Sequence, residues 1–248
     1  MNTNKIIFTV VSLILCSCSH NLKFANNHFA VPVTAENTWG GHVSVAATGV
    51  TNVTVINDFT SNPPRRDKVL INENIDTSDL TFVNNLGMNG SLGIIPSLEA
   101  FYSVGTWGLR WQFLNHGLTP DQWVAAGQLG YGTNEQSTNV SGNAGYDSAK
   151  SEITTKQAAL SVGYRLAEIV PYLSYVYNVH EVKTNVRDAG TTFGPYEDKG
   201  VHQSISLGLT SCKRGVDFGA EASMTKINWD RSDESGQFSV GGKIGYAW

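Results

Sequence analysis

The chain has 248 residues, a length that suits one domain or one closed sheet. Its net charge of −4 comes from 17 Lys and Arg against 21 Asp and Glu, and no basic block marks a nucleic-acid surface. A mean hydropathy of −0.16 excludes a helical membrane protein, and an aromatic content of 10% excludes a wholly disordered chain.

The first segment reads as an export signal. Lys5 supplies a positive start, and Ile6–Leu15 is an apolar run too short to cross a bilayer as a helix. The run ends in Leu15-Cys16-Ser17-Cys18, which resembles a bacterial lipobox. The resemblance implies removal of residues 1–17 and a lipid on Cys18. Cys16 departs from it, because that position usually holds a small residue other than Cys. An ordinary cleaved signal is the other reading. With lipid on Cys18, Cys212 is the sole remaining thiol; without it, a Cys18–Cys212 disulfide is the expected pairing. No CxxC spacing suggests a metal site. Residues 18–38 are polar and Asn-rich and read as a periplasmic tether, in which Phe24, Phe29 and Val31 have apolar surface to pack.

From residue 39 to 248 the pattern has a period of two, the period at which strand side chains change face. About ten strands are expected, near 39–49, 79–94, 97–104, 107–114, 122–132, 153–166, 170–183, 200–211, 215–228 and 236–248. In each, one face is apolar and the other is rich in Gly, Ser, Ala, Asn and Gln. Leu109, Trp111 and Phe113 oppose Gly108, Arg110 and Gln112; Val216, Phe218, Ala220, Ala222 and Met224 oppose Asp217, Gly219, Glu221, Ser223 and Thr225. A soluble sandwich has a longer and more charged polar face. Small residues suit the inside of a narrow barrel. Trp39, Trp107, Trp123, Tyr131, Tyr164, Tyr246 and Trp248 sit near strand ends, where interfacial girdles form. The fold class expected is therefore all-β, a closed antiparallel transmembrane β-barrel of about ten strands, with eight as the alternative.

Connections alternate in length. Polar stretches at 50–78, 133–152, 184–199 and 229–235 read as long outer loops; 95–96, 115–121, 167–169 and 212–214 read as short periplasmic turns. A tight turn at Gly105-Thr106 is the exception. An even strand count puts both termini, and a lipid on Cys18, at the periplasmic side. Closure has to pair the strand near Val43 with the strand near Ile244, because an open edge in lipid leaves backbone groups unbonded.

The last strand carries a further signal. Val240, Ile244, Tyr246 and the terminal Trp248 alternate on one face. Gly236–Trp248 resembles the C-terminal signal strand of bacterial outer-membrane proteins, with Trp in place of the commoner terminal Phe. The resemblance implies a porin-like barrel in the bacterial outer membrane. It also implies assembly by the barrel-assembly machinery and surroundings of membrane lipid and lipopolysaccharide. It assigns no substrate.

By the same parity, Glu99, Arg110, Arg165, His202, Asp217, Glu221 and Lys243 point into the lumen. Glu99 is expected opposite Gln112 and diagonal to Arg110, and Glu221 within reach of Lys243. Such charges either neutralise one another in a filled lumen or line a thin charge-selective path. No Gly-x-Ser-x-Gly, P-loop or His-Glu-x-x-His motif occurs, so no catalytic residue, cofactor or metal is assigned. His180, Asp188, Glu197, Asp198 and His202 are the groups an enzyme on the outer rim would use, and solvated loop charge is the simpler reading. The loop around 59–68, with Pro63-Pro64-Arg65-Arg66-Asp67, is a candidate contact surface. The leading functional expectation is a non-enzymatic barrel with a structural or surface-interaction role. A small porin comes second, and a barrel enzyme acting on lipid or peptide third.

Overall fold

A computed structural model describes residues 20–35, 37–56, 70–71, 86–116, 119–139, 147–212, 214–230 and 235–248. Cys18 and the 59–68 loop lie outside the described residues. Among the described residues, thirteen strands follow in chain order. These are β1 (His20–Ala25), β2 (Gly41–Ala47), β3 (Val50–Ile56), β4 (Leu70–Ile71), β5 (Leu86–Ile95), β6 (Leu98–Ser103), β7 (Thr106–Leu114) and β8 (Gln122–Asn139). They continue with β9 (Ser148–Arg165), β10 (Ile169–Asp188), β11 (Thr191–Ser211), β12 (Gly215–Trp229) and β13 (Ser235–Ala247).

Ten of them form a closed antiparallel ring in the order β2-β5-β6-β7-β8-β9-β10-β11-β12-β13. Each of the ten expected strands is present, and the eight-stranded alternative falls. The ring closes where Val43 faces Tyr246 and Val45 faces Ile244. At its lower rim the backbones of Gly41 and Trp248 exchange hydrogen bonds of 2.9 and 3.2 Å.

The apolar face of the ring points outward. Leu109, Leu129, Leu207, Met224 and Ile244 are all more than half exposed. Two aromatic levels flank this band. Trp111, Phe113, Trp123, Tyr164, Tyr246 and Trp248 belong to strand ends on the side of the short turns. Tyr102, Trp107, Tyr131, Tyr175, Tyr177 and Phe238 stand toward the long hairpins. A closed ring with an apolar exterior and two aromatic girdles is a transmembrane barrel of the bacterial outer-membrane kind. The long hairpins mark its outer end, and Trp248 its periplasmic end.

The tight β6–β7 turn is Val104-Gly105, one residue earlier than expected, with both residues at positive φ. The pairing therefore sets Glu99 directly opposite Arg110 rather than Gln112. That shift moves partners by two, so every inward residue stays inward.

Two expected outer loops prove largely to be sheet. Strands β8 to β11 are 18, 18, 20 and 21 residues long, whereas roughly 9–11 suffice to cross a membrane. The stretch 184–199 is a hairpin closed by Ala189-Gly190, again at positive φ. Much of 133–152 extends the β8–β9 pair, as far as Asn139 opposite Ser148. Strand β3 lies within the expected 50–78 loop, and pairs with β1 and β4 in a second, three-stranded sheet.

The segment read as a tether is the largest departure. Residues 20–35 are not outside the barrel. Strand β1 lies at the outer end, where His20 Nε2 bonds Ser151 Oγ at 2.9 Å and Lys23 exchanges two 2.9 Å bonds with the Gln136 side chain. Residues 26–35 then descend through the lumen to the periplasmic rim. The first described residue thus sits at the opposite end from Trp248, not beside it. The expected Cys18–Cys212 pairing involves a residue outside the described ones. Cys212 lies at the periplasmic end, where its N–H donates to Glu168 O at 2.9 Å. Fourteen residues of β9, roughly 45 Å of strand, separate the level of Ser151 from that of Arg165.

Candidate functional site

The lumen is the feature that this fold builds most deliberately, and a strap fills it. The strap consists of residues 26–35, and its polar atoms find partners on the wall. Asn27 Nδ2 donates to Ser223 Oγ at 2.9 Å and to Glu221 O at 3.1 Å. The His28 N–H donates to Glu221 Oε1 at 3.0 Å, and Asn178 Nδ2 lies 3.0 Å from His28 Nε2. Lower down, Thr34 N–H donates to Gln112 Oε1 at 2.9 Å and Ala35 N–H to Glu99 Oε2 at 3.0 Å. Phe29, Ala30 and Val31 are buried between these anchors. The wall makes room with glycine. A Cβ on Gly241 would come within 2.8 Å of Asn27 Cγ, and one on Gly163 within 2.9 Å of Pro32 Cγ.

All seven charged residues expected in the lumen are buried there. Glu99 Oε1 meets Arg110 at 2.5 Å, and Arg110 Nε also donates to Gln128 Oε1 at 3.1 Å. Glu221 does not pair with Lys243. Their strands are adjacent, but Glu221 faces Gly241 in register while Lys243 faces Gly219. Lys243 Nζ instead reaches Asp217 at 2.9 and 3.1 Å, with Ser211 Oγ donating to the same carboxylate at 3.0 Å. Glu221 accepts from Tyr172 Oη at 2.8 Å, from Ser223 and from the strap. Arg165 is 2% exposed and forms no side-chain hydrogen bond or ion pair among the described residues; its Nε is sealed from solvent.

His202 has a different setting. Trp229 Nε1 donates to its Nε2 at 3.1 Å, and its ring lies 4.6 Å from that of His180. Both histidines pack on Phe24. This cluster borders an apolar core of Leu22, Val53, Val55, Ile153, Val182, Val186 and Ile227, which fills the upper lumen where the β1-β3-β4 sheet, the outer cap, packs on the barrel. The rim groups considered for an enzyme therefore separate. His180, His202 and Asp198 are buried inside, whereas Glu197 stands outside, 3.4 Å from Lys183. Among the described residues no cluster of three or more His, Cys, Asp or Glu is placed to hold a metal.

Val240, Ile244, Tyr246 and Trp248, the residues of the assembly signal, all face outward and are exposed. The strap contacts were not foreseen. Their one signal was the run Asn26-Asn27-His28 set among apolar residues, a pattern with no meaning until a wall of complementary groups surrounds it.

No protein-family profile matches the chain, and no curated protein sequence matches it. Among solved structures it is similar to the outer membrane protease OmpT from Escherichia coli, at 9% identity and a TM-score of 0.39, over 85% of this chain and 92% of that one. It is also similar to the copper transporter OprC, at 11% identity and a TM-score of 0.33, over 84% of this chain and 42% of that one.

Proposed function

We propose that this protein is a plugged, non-enzymatic outer-membrane barrel with a structural or surface-interaction role, whose outer cap is the working surface. The observation that carries this reading is the strap, which crosses the lumen from Asn26 to Ala35 and is bonded to the wall along its length. The paired charges around it support the reading over a porin, since ions held by fixed partners offer no hydrated path. The division of the rim groups between inside and outside supports it over an enzyme.

Planar-bilayer recording tests it. Wild type should give no stable conductance steps, and Gly241→Leu, which crowds Asn27, should give small ones. Steps in the wild type that change on Glu99→Gln would make the protein a channel. Turnover of envelope lipids or peptides by the purified barrel would make it an enzyme.

Lipopolysaccharide around the barrel and the assembly machinery during insertion belong to the same reading. So does lipidation of Cys18. Mass spectrometry of the mature N-terminus decides the modification.

A further inference from the structure

At the periplasmic mouth a cavity of about 100 Å³ lies between the end of the strap and the wall. Thr34, Ala35, Arg165, Arg214, Asp217 and Lys243 are among its lining residues, with Glu99 and His42 beside them. Its carboxylates are already engaged. Glu99 is held by Arg110 and the Ala35 N–H. Asp217 is held by Lys243 and Ser211. Among the described residues, the cations left over on this wall are Arg165 and Arg214. Arg165 is the telling one, because it is buried and its Nε has no acceptor.

A guanidinium N–H sealed from water without an acceptor is unfavourable, and the remaining donors of Arg165 border the cavity. The guanidinium carries five donors in a fixed fork whose complement is an oxyanion bound through two oxygens. Lysine would bring one rotatable ammonium and no such match. The cavity has room for a few waters or one such group, not for a sugar or a peptide. It also lies inside the barrel wall, which keeps acyl chains out.

From these features we propose that the periplasmic mouth binds a small oxyanion, a phosphate or carboxylate group, gripped by Arg165 and assisted by Arg214. The strap and the β9, β11 and β13 walls form the seat. Access is from the periplasm, so the ligand is either a free anion or the charged end of a larger periplasmic molecule.

The test is titration calorimetry on the full chain folded in neutral detergent, with inorganic phosphate, acetate and glycerol 3-phosphate as probes. At least one should bind saturably at a single site. Glycerol 3-phosphate binding as well as phosphate points to the end of a larger molecule; phosphate or acetate alone points to the free anion. Arg165→Met should weaken binding roughly ten-fold or more, and Arg214→Ala by about three-fold, as expected for loss of charge-assisted bonds. Arg165→Lys should fall between Arg165→Met and wild type. Without ligand, Arg165→Met should unfold no earlier than wild type, because it removes an unpaired buried charge; a purely structural arginine would show the reverse. Absence of saturable binding for all three probes, or affinity unchanged in Arg165→Met, overturns the proposal. Should that variant not fold, unchanged affinity in both Arg165→Lys and Arg214→Ala does so. The measurement reads binding at the mouth and is independent of whether the lumen conducts.

Discussion

Along β10, Ser174 and Asn178 face inward at the level where Leu173, Tyr175 and Tyr177 face outward. Further up the same strand, Val182 and Val186 face inward while Lys183 and Arg187 face outward. The geometry is continuous, but near His180 the outer face turns from apolar to charged, while the inner face becomes richer in apolar side chains. Strand β12 does the same. Val216, Phe218 and Met224 are outside and Asp217, Glu221 and Ser223 inside; then Ile227 and Trp229 are inside and Lys226 is outside. Strand β9 repeats it, with Leu160 and Val162 outside below, and Lys150 and Glu152 outside above. The change marks where the surroundings turn from lipid to water. In lipid the exterior has to be apolar, and polar groups retreat to the lumen. Above the membrane the exterior is wet, and the lumen becomes an ordinary hydrophobic core.

The two halves should therefore break in different ways. A large effect is expected below. Glu99→Gln leaves Arg110 buried without its counter-ion, at a cost of about 3–5 kcal/mol. The heat-modifiable gel shift should then occur at clearly lower temperature. Changing both partners, Glu99→Gln with Arg110→Met, should recover most of that loss; no recovery would mean that the pair is not the cause.

Above, Trp229→Ala removes the indole that packs on Phe24 and donates to His202. The cap should lose about 3–5 kcal/mol, the usual cost for a large aromatic in a core. Limited proteolysis should then cut β1, β3 and the long hairpins while the gel shift of the lower barrel is kept. Loss of both together would show that the halves are one cooperative unit.

A smaller effect separates the halves by pH. His20, in the cap, is buried, and that burial brings its imidazole down to about 4 from the usual 6.5. The unfolded chain therefore binds the proton more readily than the cap does. This contribution is fully present above pH 6.5, falls as pH drops, and is lost by about pH 4, for at most about 3 kcal/mol. Amide exchange in β1 and β3 should quicken between pH 7 and 4.5, and His20→Gln should flatten the change. Equal quickening in β6 and β7 would remove His20 as the cause.

The inversion also explains which strands could be read to their ends. Strands β5, β6, β7 and β13 keep one phase throughout, and their expected limits come close to those observed where the residues are described. In β8 to β11 the upper stretches carry Lys150, Glu152, Arg187 and Glu197 outward, and these charges looked like loop. Strand β3 was overlooked although Val50, Val53, Val55 and Ile56 are typical of a strand, because it stood in a long polar connection.

The opening and closing features of the chain divide on the same principle. Alternation is local, so the sequence by itself determined a period-two closed barrel of about ten strands, the inward set from Glu99 to Lys243, and the outward row Val240, Ile244, Tyr246 and Trp248; the choice of ten over eight came from the tertiary structure. Partners are not local. Only the tertiary structure decided that Lys243 meets Asp217 rather than Glu221, that a one-residue difference in a turn sets Arg110 against Glu99, and that residues 26–35 lie in the lumen. A strap with no periodicity acquires its place from the walls around it, and those walls come from strands distant in the chain.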